Sequence, residues 1–446
     1  MQFKKRILAT LATVALGSTM SVPALAVDIT LFRFFGDCAN QFGTVTDMSK
    51  ASGECGIIQA LTNKFNAENT IGAKVVTQTV DWNTYYDQLS ATYATGKIPD
   101  IAVMHRSVLP NFASRGLVDS IGADLTASGV DLGDLVPAAR DGATIDGKLY
   151  ALPLDIHALL LHVNMGLMKK AGLVADNGEP VLPSSPDQMF EQAKKLKDAT
   201  GKTYLGMESN SSAAMPIRLF YSLIWQQGDD VVSADGAKAK IDTPAGRKAA
   251  AFLQKIYANG LSNKAFDYAG AEQAFLAGDV AILVNGTWGV SNYTEKAVPG
   301  ATGLQDYRVA NMPKLFGNDA TWSDSHIWTV PTNQQRSPEK RKAVMAFLKF
   351  LNDNNYEWSR TGHLPVRQSV LDSEVFKKLP HRSEYAATAK IARALPGVQN
   401  QKGVQDVLIG GLSSIWLTGK DSNKAVAEAQ ARADQVLKRG RAKTAN

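Results

Sequence analysis

Short segments of strand character alternate with amphipathic helical segments along most of this chain, and no other feature restricts its fold as strongly. Val27-Asp28-Ile29-Thr30-Leu31-Phe32 repeats at period two and reads as a strand, after which Ile57, Ile58, Leu61 and Phe65 share one helical face. Val75 to Val80 is a second strand, Trp82 to Tyr86 lead into a helix through Leu89 and Tyr93, and Asp100 to Met104 is a short buried strand. Further on, Ser185-Pro186, Thr243-Pro244 and Ser337-Pro338 each set a capping hydroxyl ahead of a proline at the first helical position. The alternation predicts an α/β fold on mostly parallel sheet.

A length of 446 residues exceeds one typical core, so two domains are expected. No repeat and no Pro/Gly/Ser-rich linker interrupts the pattern. The chain is therefore expected to cross between two lobes inside regular structure, which leaves a cleft between two sheets. The basic stretch Arg439 to Asn446 reads as a frayed tail.

The first residues specify export. Lys4, Lys5 and Arg6 precede an apolar run, Ile7 to Gly17, and Ala24-Leu25-Ala26 supplies an A-x-A cleavage site after Ala26. The apolar run is too short for a membrane span. Removing residues 1–26 takes away three positive charges and no acids, so the formal net charge of +6 becomes +3, which gives no argument for nucleic acid. In an exported chain the two cysteines, Cys38 and Cys55, are expected to form a disulfide across the polar loop between them. Cys38 lies too far beyond Ala26 to carry a lipid anchor, so the protein is expected free in the periplasm.

Catalytic signatures are absent: there is no GxSxG, no HExxH, no Walker loop and no GxGxxG after a strand. Asp81, Asp100, Asp155, Glu208 and Asp324 could meet in space, yet no motif organises them. His157 and His162 are spaced i, i+5 and do not suit one helical face, so neither a metal nor a cofactor is expected. Aromatics, by contrast, gather at the ends of elements. Phe34-Phe35-Gly36 ends the first strand, Trp82 follows the second, Trp288 follows an Asn285-Gly286 turn signal, and Trp322 and Trp328 bracket Ser323 to His326. In open α/β sheets the ligand cleft lies at such strand ends. Sugars present C–H faces to aromatic rings and hydroxyls to planar polar groups. Local sequence alone leaves Trp288 either a core plug or a pocket wall.

The ordered series GKIPDIAVM (Gly96–Met104), DGKLYALPLD (Asp146–Asp155), FLAGDVAILVNGTWG (Phe275–Gly289) and GHLPVR (Gly362–Arg367) behind an export signal resembles the extracellular solute-binding proteins of ABC importers. The likeness is to the carbohydrate-binding group that includes maltose-binding protein, and it covers nearly the whole mature chain. It implies a two-lobe periplasmic-binding-protein fold, with one lobe from 27–155 and 322–365 and the other from 156–321 and 366–446. The implied function is capture of a carbohydrate by hinge closure and delivery to a membrane permease, by a monomer and without catalysis. The implied ligand contacts are Trp288 as the stacking ring, His105, Arg106 and Ser107 after PDI, Asp155 and His157 at the hinge, Ser325 and His326 at the return crossing, and Arg367 of LPVR. Phe35 and Trp82 join them as aromatic walls. The chain departs from maltose-type members after PDI, where Met104 to Ser107 replace tryptophan and acidic residues. Arg106, Arg367 and the histidines suit a polyol or an anionic sugar, acidic or sulfonated, as the alternative ligand. A periplasmic carbohydrate-active enzyme is the alternative of another class.

Overall fold

The computed structural model describes residues 27–442; the expected signal peptide lies outside them. Among the described residues two large sheets form, each with its own core. In the first, Ala73–Thr79, Val27–Arg33, Ile101–His105, His326–Thr329 and Ala151–Pro153 lie side by side. The first three are mutually parallel, and the last two join antiparallel. In the second, Ala392–Ala394, Thr321–Asp324, Asp155–Asn164, Val280–Gly286 and Thr203–Gly206 follow one another. Tyr307–Asn311 and Leu364–Pro365 also pair with Asp155–Asn164, again antiparallel.

The α/β class holds, but the sheets are mixed rather than mostly parallel. The reason lies in the crossings. Asp155–Asn164 and His326–Thr329 each begin one residue after the chain leaves the other sheet, and both pair antiparallel with the strands they meet there. A crossover helix, which would make such strands parallel, is missing at both points. These two crossings fall at Leu154 and Ser325, and a third returns the chain to the second sheet between Trp358 and Leu364. Trp322 thus stays with the second sheet, where its ring is buried in that lobe's core, and the first lobe resumes only after Ser325.

Local signals hold well. Ser185, Thr243 and Ser337 each accept a backbone N–H of the first turn in Pro186–Thr200, Pro244–Ala258 and Pro338–Asp353. Pro338–Asp353 and Gly53–Glu68 cover the first sheet, with Phe65 and Phe347 in ring contact at 4.9 Å. Ala214–Trp225, Pro244–Ala258 and Gln401–Leu417 contribute to the second core. The expected frayed tail is instead partly helical. Ser422–Ala442 continues through Arg439, because Ala429, Ala433 and Leu437 are buried along one face. No described helix is long and apolar enough to cross a membrane.

Cys38 and Cys55 are joined across a sequence separation of 17, tying the loop after Val27–Arg33 to the first turn of Gly53–Glu68. Reduction is expected to destabilise the protein by ~3 kcal/mol, the chain-entropy value for a loop of this size. A fall in melting temperature on reduction checks it, and two titratable thiols in the native protein would count against the bridge.

Candidate functional site

Between the two sheets lies a cavity of about 370 Å³. Its first wall is built by the loop after Val27–Arg33. Phe35 and Gly36 both adopt positive φ, 77° and 79°, and for a bulky residue such as Phe35 this is a strained conformation. Arg33 holds the turn in place: its guanidinium donates to the carbonyls of Phe34 and Gly36 at 2.9 and 2.8 Å. Burial lowers the Arg33 pKa to about 10. The turn sets the Phe35 ring 4.9 Å from those of both His326 and Trp358. Asp81, Trp82 and Asn83, after the second strand, complete this wall, with Glu54 from Gly53–Glu68.

The opposite wall comes from the second lobe. Glu208 caps Ala214–Trp225, accepting from the Ser212 hydroxyl and from the Ala214 N–H at 3.2 Å, and burial raises its pKa. One turn into that helix stands Arg218, its guanidinium 4.3 Å from the Trp322 ring and 5.3 Å from that of Trp288. No carboxylate lies within salt-bridge distance of it, Nη1 reaches only the Met215 sulfur at 3.8 Å, and Nε has no partner. Burial lowers its pKa. Trp288 follows Val280–Gly286 and donates its indole N–H to the Tyr268 hydroxyl at 2.8 Å. Gly286 is not the turn glycine the Asn-Gly pair suggests, since its backbone is extended. It is needed for space, because a Cβ there would lie 2.0 Å from the Trp288 ring.

The floor is a group of imidazoles on one buried carboxylate. Asp155 is fully buried and accepts from His157 Nδ1 at 3.0 Å, His326 Nδ1 at 2.7 Å, the His326 backbone N–H at 3.0 Å and Trp358 Nε1 at 2.7 Å. Burial opposes its charge, but His326, His363 and these hydrogen bonds hold its pKa well below the usual carboxylate range. Burial and the neighbouring His326 lower His157 to about 4. His105, desolvated and facing the same ring, is also pushed down, and Tyr86 holds its Nδ1 at 2.6 Å. For His326 burial acts in the same direction, yet the charge and hydrogen bond of Asp155 outweigh it and the pKa rises. His363, beneath the floor, meets Glu54 at 2.8 Å.

Of the residues expected at the site, Phe35, Trp82, His105, His157, Trp288 and His326 line this cavity together. The other five stand elsewhere. Asp155 lies beneath the floor. Ser107 donates its hydroxyl to Asp324 at 2.5 Å and Arg106 reaches the Leu395 carbonyl at 3.2 Å, both fastening one lobe to the other, while Ser325 donates to the Asp155 carbonyl and ties two crossings together. Arg367 is turned to Asp134 at 2.7 Å, because its neighbour Ser369 also anchors that carboxylate. Glu54, Ser212, Met215, Arg218 and Tyr268 were not anticipated. Arg218 had left a trace, being the only charged residue in the largely apolar run Ala213 to Trp225.

Comparison with known proteins gives a consistent result. A family model described as bacterial extracellular solute-binding protein matches residues 60–384. A binding protein of Brucella abortus is 22% identical over 401 residues, 89% of this chain and 93% of its own. The arabinooligosaccharide-binding protein of Bacillus subtilis is 25% identical over 329 residues, 70% of each chain. Among solved structures, the GacH receptor of Streptomyces glaucescens, crystallised unliganded and with acarbose, superposes with a TM-score of 0.77. It is 18% identical over 93% of this chain and 99% of its own, a likeness of fold.

Proposed function

This chain belongs to the bacterial extracellular solute-binding protein family, and from that premise we propose that it captures a carbohydrate in the periplasm and hands it to the permease of an ABC importer. The observation that carries the ligand class is the cavity, with Trp82 on one wall and Trp288 on the other and donors and acceptors between them. Indoles on both sides of the cavity offer stacking surfaces for the apolar faces of pyranose or furanose rings. The names of relatives agree, since an arabinooligosaccharide-binding protein and a receptor crystallised with acarbose are among them.

A neutral sugar suits the charge of the site better than an anionic one. Glu54, Asp81 and Glu208 line the cavity against the single guanidinium of Arg218, and neither Arg106 nor Arg367 reaches it. We assign the lobes to the two sheets, with Leu154 and Ser325 as the pivots. Hydroxyls that bond both walls favour the closed arrangement and shift the population toward it. The mature chain, cleaved after Ala26, acts as a monomer and binds without turnover.

A thermal-shift screen against sugars, polyols and sugar acids, followed by calorimetry on the hits, tests this reading. Stabilisation by a neutral oligosaccharide is expected, and products accumulating on incubation would overturn binding without catalysis. Arg218→Met is expected to weaken the hit by about 1.5–3 kcal/mol, the value of hydrogen bonds to a charged donor. Its ligand-free melting temperature should hold or rise, because the substitution removes a buried charge that no salt bridge holds. Calorimetry and thermal unfolding of the same variant read the two effects separately.

A further inference from the structure

Four of the six histidines of the chain collect around Asp155, and three of them, His105, His157 and His326, line the cavity. One potential ligand nitrogen from each lies within 4.8 Å of those of the other two. Their ring centroids are 4.3, 4.9 and 5.7 Å apart. Asp155 takes the Nδ1 of His157 and of His326, and the Tyr86 hydroxyl takes that of His105. No described residue bonds the Nε2 of any of the three.

An ionised carboxylate only accepts, so it receives Nδ1–H from both rings and leaves their lone pairs at Nε2. A phenol oxygen accepts as readily as it donates, which lets His105 present its Nε2 in the same way. Imidazoles oriented from behind by a carboxylate or hydroxyl are the usual support of a metal-binding histidine. Sugar recognition does not require this concentration, because three ring nitrogens so close together compete for one hydroxyl, whereas an ion uses all three. The lining carboxylates Glu54, Asp81 and Glu208 outnumber Arg218, its one Arg or Lys, and favour a cation.

We propose that His105, His157 and His326 form a binding site for a divalent metal ion of the zinc class, Zn²⁺, Ni²⁺ or Cu²⁺, with further coordination open to the cavity. His157 stands on a strand of the second sheet and His105 and His326 on strands of the first. The ion therefore joins the lobes, and its binding favours the arrangement in which all three rings meet. His162, whose i, i+5 spacing had argued against a metal pair with His157, is indeed no part of the group and is held by Tyr307 at 2.7 Å and by the Gly286 carbonyl at 3.1 Å.

The full mature chain, stripped with a chelator, is titrated with Zn²⁺ by calorimetry and with Co²⁺ by absorption spectroscopy. One equivalent of Zn²⁺ is expected, with the visible ligand-field bands of protein-bound Co²⁺. His157→Gln and His105→Gln, each verified as folded by circular dichroism, should lower metal affinity by roughly a hundredfold or more. His381→Gln, outside the cavity, should leave it unchanged. Absence of stoichiometric binding in the unaltered chain, or binding that survives both cavity substitutions, would overturn the site. Neither titration contains sugar, so that outcome would leave carbohydrate capture standing.

Discussion

Trp288→Ala should weaken carbohydrate binding by about 1.5–3 kcal/mol, the cost of one well-packed aromatic contact at the centre of an interface. The fold should survive with little loss. Trp288 is only partly buried, packs at the edge of the second core, and gives its N–H to a tyrosine that retains Asn285 as a partner. Calorimetry gives the first quantity and ligand-free thermal unfolding the second. A large fall in melting temperature with unchanged affinity would return the indole to the role of core plug. Trp288→Phe separates ring from hydrogen bond: it keeps a stacking face, loses the bond to Tyr268, and should recover most of the affinity.

The largest stability effect is expected at Asp155. Asp155→Ala should cost roughly 3–5 kcal/mol, the range for breaking a buried charged network by removing one partner. The loss is concentrated, since one carboxylate satisfies two imidazoles, an indole and a backbone N–H. Asp155→Asn keeps the shape but brings an amide N–H against rings that must themselves donate, so it should recover only part of the loss. Thermal melting of both variants without ligand checks the order. A melting temperature unchanged in Asp155→Ala would mean that water replaces the carboxylate without penalty.

Much of this was legible in the sequence, for identifiable reasons. The three capped helices and the first three parallel strands depend on residues close together in the chain, so period and capping chemistry specify them. Trp82, His105, His157, Trp288 and His326 could be placed because each stands at the end of an element or beside a crossing, where side chains of different strands converge. Arg367 shows the limit: its partner Asp134 is more than two hundred residues away, and nothing near LPVR indicates that the guanidinium is already engaged. Gly286 shows another. Asn-Gly ordinarily marks a turn, and only the position of the Trp288 ring reveals that the glycine is there to leave room. The antiparallel strands were missed because helix-strand alternation describes connections within a lobe and says nothing about how a chain enters the other one.

Arg218 carries a consequence for transport. Its guanidinium lies against two indoles with no carboxylate at salt-bridge distance, so closing the cleft without sugar should strip water from a charge that no ion pair holds, and opening should restore that water. The empty protein is therefore expected to favour the open arrangement, and a filled one the closed arrangement. An importer that responds to the shut form would then rarely be engaged by an unloaded binder. For such an importer, Arg218→Met should raise the basal turnover while lowering its sugar-dependent gain.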